Sequence, residues 1–139
     1  MNIAVVYWSG TGNTEAMAQA VEEGAKAKGA DTILLPSAAF DASMVSQYDA
    51  IAFGCPAMGA EVLEESEFDP MFTACLPELS GKSMALFGSY GWGDGEWMRS
   101  WEETCTGAGA KLACDSVICC GYPEDDALAE CKALGEALA

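Results

Sequence analysis

The sequence contains no histidine, and it carries only six basic residues against 22 acidic ones. Without histidine, Ser-His-Asp and Cys-His catalysis and the usual zinc and haem ligand sets are excluded. The formal net charge of −16 argues against nucleic acid and anionic membranes as partners. A macromolecular partner is instead expected to be a protein with a basic patch, because complementary charge speeds association.

Long apolar segments are also missing, since no run approaches the roughly 20 residues of a membrane span. The first residues, 1–6, lack the basic region of a signal peptide. The seven cysteines are odd in number and none forms a Cys-x-x-Cys pair. We therefore expect a cytoplasmic protein with mostly reduced thiols. Cys119 and Cys120 are predicted to pack in the core, because neighbours on a strand face opposite sides.

The 139 residues, 51% of them hydrophobic, predict one compact domain over residues 1–139. An unbroken apolar run at residues 3–8 is typical of a strand buried on both faces, and it ends in a Gly-rich turn. Residues 15–28 follow with apolar positions at helical spacing. The same unit then repeats, which predicts further strands at 32–35, 50–55, 83–89 and 111–120 and further helices at 41–47, 68–79, about 95–108 and 125–138.

Five strands alternating with five helices predict an α/β three-layer sandwich around a five-stranded parallel sheet, because parallel strands need right-handed crossovers. In such sheets the ligand lies beyond the carboxyl ends of the strands, where the winding direction switches. The loops that follow the strands are therefore the place to look for function.

The loop after the first strand reads Ser9-Gly10-Thr11-Gly12-Asn13-Thr14. Its glycines allow close backbone approach, and its side chains and the helix amides offer hydrogen bonds to a phosphate. The pattern is neither a P-loop nor a Rossmann fingerprint, and no lysine or arginine precedes Lys26. A cradle without cations suits one terminal phosphate, although a plain Gly-rich turn is the alternative.

The loops after the third and fourth strands carry a sulfur and an aromatic side chain among small residues. Met58 can lie against an aromatic face, although a lone methionine is more often core filling. Three glycines surround Trp92, so its indole can stack on a ligand that the backbone approaches closely. Trp97 and Trp101 are four residues apart and are predicted to pack in the core, while Tyr90 stays ambiguous. A flat ring joined to a single phosphate, such as flavin mononucleotide (FMN), fits these three loops.

Three segments, Tyr7-Trp8-Ser9-Gly10-Thr11-Gly12-Asn13-Thr14-Glu15, Gly54-Cys55-Pro56-Ala57-Met58-Gly59 and Phe87-Gly88-Ser89-Tyr90-Gly91-Trp92-Gly93-Asp94-Gly95, resemble the short-chain flavodoxins of anaerobic bacteria. The resemblance covers the whole chain. It implies a flavodoxin-like fold with strand order 2-1-3-4-5, a noncovalent FMN, and low-potential one-electron transfer among quinone, semiquinone and hydroquinone forms.

The resemblance also implies a role for individual residues. Met58 and Trp92 would sandwich the isoalloxazine ring, Glu61 would bind its N3–H, and the Gly59–Ala60 peptide would reorient towards N5. The phosphate would be bound by Ser9, Thr11, Asn13, Thr14 and the amides of Gly10 and Gly12, with Trp8 at its border. The other expected cofactor contacts are Pro56, Ala57, Ser89, Tyr90, Gly91, Gly93 and Asp94. Some relatives have serine in place of Pro56 and aspartate in place of Ala60.

Acidic residues gather in the same loops, which is expected to make reduction to an anionic flavin harder, unless they form only a solvated face. They are Glu61, Glu64, Glu65, Glu67, Asp69, Asp94 and Glu96. The resemblance implies a monomeric electron carrier without catalytic or metal-binding residues, working with ferredoxin-like donors and acceptors that have basic patches.

Two other functions are alternatives to electron transfer. A small FMN-dependent quinone or flavin reductase is the enzyme alternative, and Trp92 closing one ring face argues against it. A phospho-acceptor signalling domain would need an aspartate after strand three and a lysine after strand five, where this sequence has Gly54-Cys55 and Gly121-Tyr122.

Overall fold

The computed structural model of the chain describes residues 1–59 and 61–139. In these ranges the chain forms six strands, which lie parallel in one sheet. They are β1 (Asn2–Tyr7), β2 (Asp31–Pro36), β3 (Ala50–Gly54), β4 (Ser83–Tyr90), β5 (Lys111–Leu112) and β6 (Val117–Cys120).

Four α-helices are found in the same ranges: α1 (Asn13–Ala27), α2 (Phe68–Cys75), α3 (Glu96–Gly107) and α4 (Asp125–Leu138). The predicted helix over 41–47 is instead a short 3-10 helix, Ala42–Gln47, which starts where Asp41 accepts a hydrogen bond from the Ser43 amide at 2.9 Å. The predicted helix over 68–79 ends as an α-helix at Cys75 and tightens into a 3-10 turn, because Pro77 has no N–H to continue the α-helical ladder.

The strand order is β2-β1-β3-β4-β5, and β6 also pairs with β4. This confirms the predicted order 2-1-3-4-5. The chain winds from β1 outward to β2 and then continues on the other side of β1 with β3, so the winding direction switches between β1 and β3. A ligand site is expected at the carboxyl ends of these two strands.

The predicted strand over 111–120 is interrupted. Leu112 lies opposite Met84, and Val117 lies opposite Phe87. Four residues therefore separate the paired positions between β5 and β6, whereas two separate them on β4. The two extra residues form a bulge, and the hydroxyl of Ser116 there donates to Oε2 of Glu102 on α3 at 2.6 Å. The polar residues of segment 113–116 thus face α3 and solvent instead of extending the ladder.

The side chains of β1 alternate between the two faces of the sheet. Ala4 and Val6 pack in the cluster with α2 and α3, whereas Ile3 and Val5 pack in the cluster with α1 and α4. The two apolar clusters lie on opposite sides of one sheet, which confirms the predicted three-layer sandwich. Within the described ranges, no helix is both long enough and apolar enough to cross a membrane.

The helices α1 and α4 touch through their backbones. A methyl group at Gly24 would collide with the carbonyl of Lys132, and one at Gly135 would collide with the carbonyl of Val21. Glycine at both positions therefore permits the close approach of the two helices.

Candidate functional site

A cavity of about 260 Å³ opens at the carboxyl edge of the sheet, at the switch point. It lies between three segments that we call the first-strand loop (8–14), the third-strand loop (55–64) and the fourth-strand loop (89–95). Its lining residues are Trp8, Gly10, Thr11, Asn13, Pro56, Ala57, Met58, Ser89, Tyr90, Gly91 and Gly121. The fold therefore brings together the three loops that the sequence singled out.

The first-strand loop is held in shape by its own contacts. The amide of Gly12 donates to the Ser9 hydroxyl at 3.0 Å, and Gly12 has a positive φ of 93°, which favours glycine. The ring of Trp8 lies across Gly10, where a methyl group would come within 3.0 Å of the indole. Helix α1 begins at Asn13 without a side-chain cap, so the amides of its first turn face the loop free of helical partners.

Two hydrogen bonds tie the fourth strand to the other loops. The buried hydroxyls of Thr14 and Ser89 lie 3.3 Å apart and share a hydrogen bond. The amide of Ala57 donates to the carbonyl oxygen of Ser89 at 3.0 Å. The end of β4 thus fixes the first-strand and third-strand loops relative to each other.

The third-strand loop contains a tight turn. Met58 and Val62 exchange two backbone hydrogen bonds, at 2.8 and 3.1 Å. Gly59 has a positive φ of 46°, and Glu61 has a φ of 57°, the one positive value among the non-glycine residues that the structure describes. The atom Oε1 of Glu61 is buried and has no hydrogen-bond partner in that part of the chain. A strained backbone thus presents a carboxylate with one unused acceptor.

The carboxylate of Glu64 anchors the far end of this loop. It is only 7% exposed and accepts hydrogen bonds from the amides of Ser66, Glu67 and Phe68, at 2.9, 2.7 and 2.9 Å. Burial alone would raise the pKa of this carboxyl, but the three amides together hold its pKa below the usual value. The amide of Glu64 in turn donates to Sγ of Cys55 at 3.4 Å. Glu64 therefore closes the base of the loop and starts α2.

The fourth-strand loop is clamped from α3 and leaves its tryptophan in solvent. Arg99 donates from Nη1 to the Asp94 carbonyl and from Nη2 to the Asp94 carboxylate, both at 3.0 Å. Trp92 is 64% exposed. Behind the loop, Trp97 is buried and donates to the carbonyl of Cys55 at 3.2 Å. The loop thus has a fixed base and an open aromatic tip.

The distribution of charge is uneven. The lysines lie away from the carboxyl edge: Lys26 and Lys28 at the end of α1, Lys82 before β4, Lys111 at the start of β5, and Lys132 on α4. Arg99, the single arginine of the sequence, stands at the carboxyl edge and is paired with Asp94. The charged side chains of the loops at this edge are therefore mostly carboxylates, such as Glu65, Glu67 and Asp94, although none of them lines the cavity.

Comparison with known proteins gives one consistent result. A family model described as flavodoxin matches residues 5–135. The flavodoxin of Megasphaera elsdenii is 46% identical over 137 residues, 99% of this chain and 98% of that protein. The flavodoxin of Clostridium beijerinckii is 43% identical over 135 residues, 97% of each. The chain belongs to the flavodoxin family. The solution structure of two-electron reduced Megasphaera elsdenii flavodoxin superposes with a TM-score of 0.91 at 48% identity, covering 98% of this chain and 97% of that one.

Flavodoxins are FMN-binding electron-transfer proteins and act with redox partners as carriers, not as enzymes. The predicted family, cofactor and general function are therefore confirmed. Membership of this family favours electron transfer over the reductase and the phospho-acceptor domain, the two alternatives given above.

The residues at the carboxyl edge fit FMN. A methyl group built at Gly12 or Gly91 would meet no atom of the described residues within 4 Å, so these residues leave open space directly beside both backbones. The first-strand loop supplies helix amides and hydroxyls, which are the donors that a phosphate dianion needs. The unpartnered Oε1 of Glu61 matches the N–H that an isoalloxazine ring presents.

The structure divides the predicted site residues into those that line the cavity and those beside it. Ser9 and Gly12 border a neighbouring cavity of about 400 Å³, and Glu61 borders a third one, of about 600 Å³, between α2 and α3. Thr14 is buried beneath the loop. Gly59, Trp92, Gly93 and Asp94 are exposed beside the cavity, and Ala60 lies outside the described residues.

Gly121 lines the cavity but is not among the site residues predicted from the sequence. It follows β6, has a positive φ of 74°, and donates to the carbonyl of Tyr90 at 2.8 Å. The signal was its place at the carboxyl end of the last predicted strand. Tyr90, left ambiguous above, both lines the cavity and contacts Trp97, with ring centroids 5.5 Å apart.

The structure also shows which of the tryptophans, cysteines and loop acids lie in the interior. Trp97 and Trp101 are buried, as predicted from their spacing. Core packing was wrong for Cys120, which is exposed, while Cys119 is partly buried with its Sγ 3.7 Å from Sδ of Met17. Glu64 belongs to the interior and not to the acidic surface. All seven cysteines are free thiols.

Proposed function

We propose that this flavodoxin holds FMN across the three loops and carries single electrons at low potential, with the whole chain acting as one domain. The observation that supports the proposal most is the cavity at the switch point. Its lining joins the first-strand loop, which offers hydrogen-bond donors without a lysine or arginine, to Met58 on one side and to the fourth-strand loop on the other. Each part of the cofactor then has a counterpart in the chain.

The first-strand loop would bind the phosphate. The amide of Gly10 and the polar side chains of Ser9, Thr11 and Asn13 would donate hydrogen bonds, and the positive end of the α1 dipole would add to their effect. The amide of Gly12, which donates to the Ser9 hydroxyl in this structure, would turn to the phosphate when FMN binds. The Thr14 hydroxyl would contribute while it also contacts Ser89. Trp8 and Pro56 would border the phosphate and exclude water.

The third-strand and fourth-strand loops would hold the ring. Met58 would contact one face and the exposed indole of Trp92 the other, with Glu61 accepting a hydrogen bond from N3–H. The amides of Gly91 and Gly93 would reach the pyrimidine carbonyls. Ala57, Ser89, Tyr90 and Asp94 would complete the surroundings. A reorienting Gly59–Ala60 peptide stays a prediction from the family resemblance.

Bound FMN supplies the redox chemistry, accepting and releasing electrons one at a time. The chain sets the cost of adding negative charge to the ring, because the loops around the cavity carry several carboxylates and Arg99, the arginine at this edge, is paired with Asp94. A single unit charge about 10 Å away, at an effective dielectric constant of about 20, changes the energy by roughly 1.7 kcal/mol, or about 70 mV for one electron. Acidic residues at this edge would therefore lower the potential of the second reduction step.

The partners would be redox proteins with basic patches, such as ferredoxin-like donors and acceptors. The acidic carboxyl edge and the exposed apolar side chains of Val62, Trp92 and Tyr122 support this docking face. A monomer would leave that face open to successive partners. The seven free thiols support a reducing compartment, and we place the protein in the cytoplasm.

An anaerobic, stepwise dithionite titration of the holoprotein, followed by visible absorbance, tests the carrier function. Two resolved one-electron steps, without turnover of quinones or nicotinamide cofactors, are expected. Rapid quinone turnover would instead indicate a reductase, and a protein that cannot bind added FMN would overturn the site.

A second experiment separates the phosphate contacts from the ring contacts. We expect Thr11→Val to weaken binding of FMN but not of riboflavin, which lacks the phosphate. Thr106→Val is the matched control, because Thr106 is exposed on α3 and its hydroxyl bonds only to carbonyls of its own helix. Equal losses for FMN and riboflavin would contradict the placement of the phosphate.

A further inference from the structure

The carboxylate of Glu61 occupies space that a side chain on the fourth-strand loop would need. A methyl group built at Gly93 would lie 2.6 Å from both Cδ and Oε1 of Glu61 and 3.0 Å from Oε2. Contacts this short would force one of the two groups to move. A side chain at position 93 therefore fits only if the flexible end of Glu61 moves away from its present position.

The backbone turn at Glu61 sets the direction in which its side chain leaves the chain. Its φ of 57° is left-handed, and the two hydrogen bonds between Met58 and Val62 close the turn that contains it. Such a conformation is unfavourable for a residue with a Cβ and persists only when its surroundings hold it. The unpartnered Oε1 thus stands in space that the bare backbone of Gly93 leaves open, and no hydrogen bond within the described residues holds it there.

We propose that Gly93 is a positioning residue for Glu61: the missing side chain at position 93 provides the space in which the Glu61 carboxylate stands to accept the N3–H of the flavin ring. The inference rests on the proposed function, because it takes N3–H as the group that Oε1 receives. It makes Gly93 a determinant of flavin selectivity at N3, separate from any hydrogen bond that its own amide donates.

A competition experiment on the holoprotein tests this role. The holoprotein is dialysed to equilibrium against an equimolar mixture of FMN and 3-methyl-FMN, and the bound flavins are extracted and quantified. Both flavins keep the phosphate and the pyrimidine carbonyls, so the bound ratio reports on N3 alone. We expect the wild-type protein to prefer FMN by about 10- to 100-fold, the range for a hydrogen bond to a charged group.

Four variants are compared with the wild type: Gly93→Ala, Glu61→Ala, the double variant, and Gly29→Ala. Gly29 is the control for backbone strain, because its φ of 88° equals that of Gly93 while a methyl group there would meet nothing within 4 Å. We expect Gly93→Ala and Glu61→Ala each to lose most of the preference for FMN. The double variant should match Glu61→Ala, and Gly29→Ala should keep the wild-type ratio.

The outcomes separate this inference from the proposed function. A Gly93→Ala protein that keeps the wild-type preference, or effects of the two substitutions that simply add, would overturn the role of Gly93. A wild-type protein without any preference, together with an unaffected Glu61→Ala, would refute the N3–H contact itself. If Gly93→Ala does not fold while the double variant does, the collision is confirmed. If Gly93→Ala and the double variant both fail to fold although Gly29→Ala folds, glycine at position 93 is needed for the backbone conformation there and not for Glu61, and the inference fails.

Discussion

Replacing Glu64 with glutamine should reveal how strongly one buried carboxylate stabilises the third-strand loop and α2. Its Oε1 accepts from the amides of Glu67 and Phe68, and its Oε2 accepts from the amide of Ser66. Glutamine has nearly the same shape, but it offers one oxygen and one NH2 group. One backbone amide therefore loses its acceptor and faces a donor.

The size of the effect follows from these three bonds. A hydrogen bond to a charged group contributes roughly 1.5 to 3 kcal/mol, and a neutral one roughly half as much. Glu64→Gln removes one charged bond and converts the others to neutral ones, within a site that is only 7% exposed. Because glutamine also avoids the cost of burying a charge, the net loss is smaller than the sum of these bonds, and we expect the free energy of unfolding at pH 7 to fall by about 2 to 3 kcal/mol.

The effect should depend on pH with a definite sign. Because the pKa of Glu64 is lower in the folded protein than its ordinary value of 4.5, the folded state favours the ionised form. The stability that this carboxylate contributes is fully present above pH 4.5 and is lost as the pH falls through the lower folded pKa. The gap between wild type and Glu64→Gln should thus be constant near neutral pH and narrow below pH 4.5.

Urea unfolding followed by tryptophan fluorescence measures this gap, with FMN at one fixed concentration for all variants. Protein at submicromolar concentration limits precipitation near the sequence pI of 4.1. Glu65→Gln is the control, because the neighbouring Glu65 is exposed. The reasoning would be refuted if Glu64→Gln were as stable as Glu65→Gln at pH 7, or if the gap did not narrow in acid.

Three further predictions concern other parts of the molecule. Trp92→Ala should weaken FMN binding by about 1 to 3 kcal/mol through lost stacking; an unchanged dissociation constant in a fluorescence titration would contradict the sandwich. Gly135→Ala should lower the free energy of unfolding, measured in urea, by at least about 1 to 3 kcal/mol, because the methyl group would collide with α1. The control Gly107→Ala should not lower it, because a methyl group there meets open space on α3. Equal losses for the two variants would contradict the close contact of α1 and α4. Burial raises the pKa of Cys55, Cys105 and Cys131 to about 12. A thiol reagent at pH 8 should therefore modify the exposed Cys120 first. A fast phase of thiol modification that persists in Cys120→Ser would contradict this.

The sequence was most informative where one strong pattern decides the structure. Helix α4 has the predicted bounds, 125–138, because its apolar positions recur at helical spacing. The carboxyl ends of the strands located the three loops, since the winding of a parallel sheet puts them at one edge. The spacing of Trp97 and Trp101 likewise indicated which tryptophans are buried.

Other features depend on contacts between distant residues and leave no local pattern. The bulge at 113–116 reflects the hydrogen bond from Ser116 to Glu102, which a strand pattern does not contain. The sequence places Glu64 among the surface acids, because its hydrogen-bond partners are backbone amides, which no particular residue type marks. The left-handed backbone of Glu61 is set by the turn that Met58 and Val62 close, and it is not a preference of glutamate.

The separation of lysines from the carboxyl edge also makes the molecule an electric dipole. Its negative pole coincides with the edge where the cofactor would be reached, and its lysines lie mostly at the opposite edge. In the field of a positively charged partner, such a molecule experiences a torque that turns the negative pole forward before the surfaces touch. Fewer collisions are then wasted on the wrong face, so a carrier can exchange partners rapidly while each complex stays weak enough to separate.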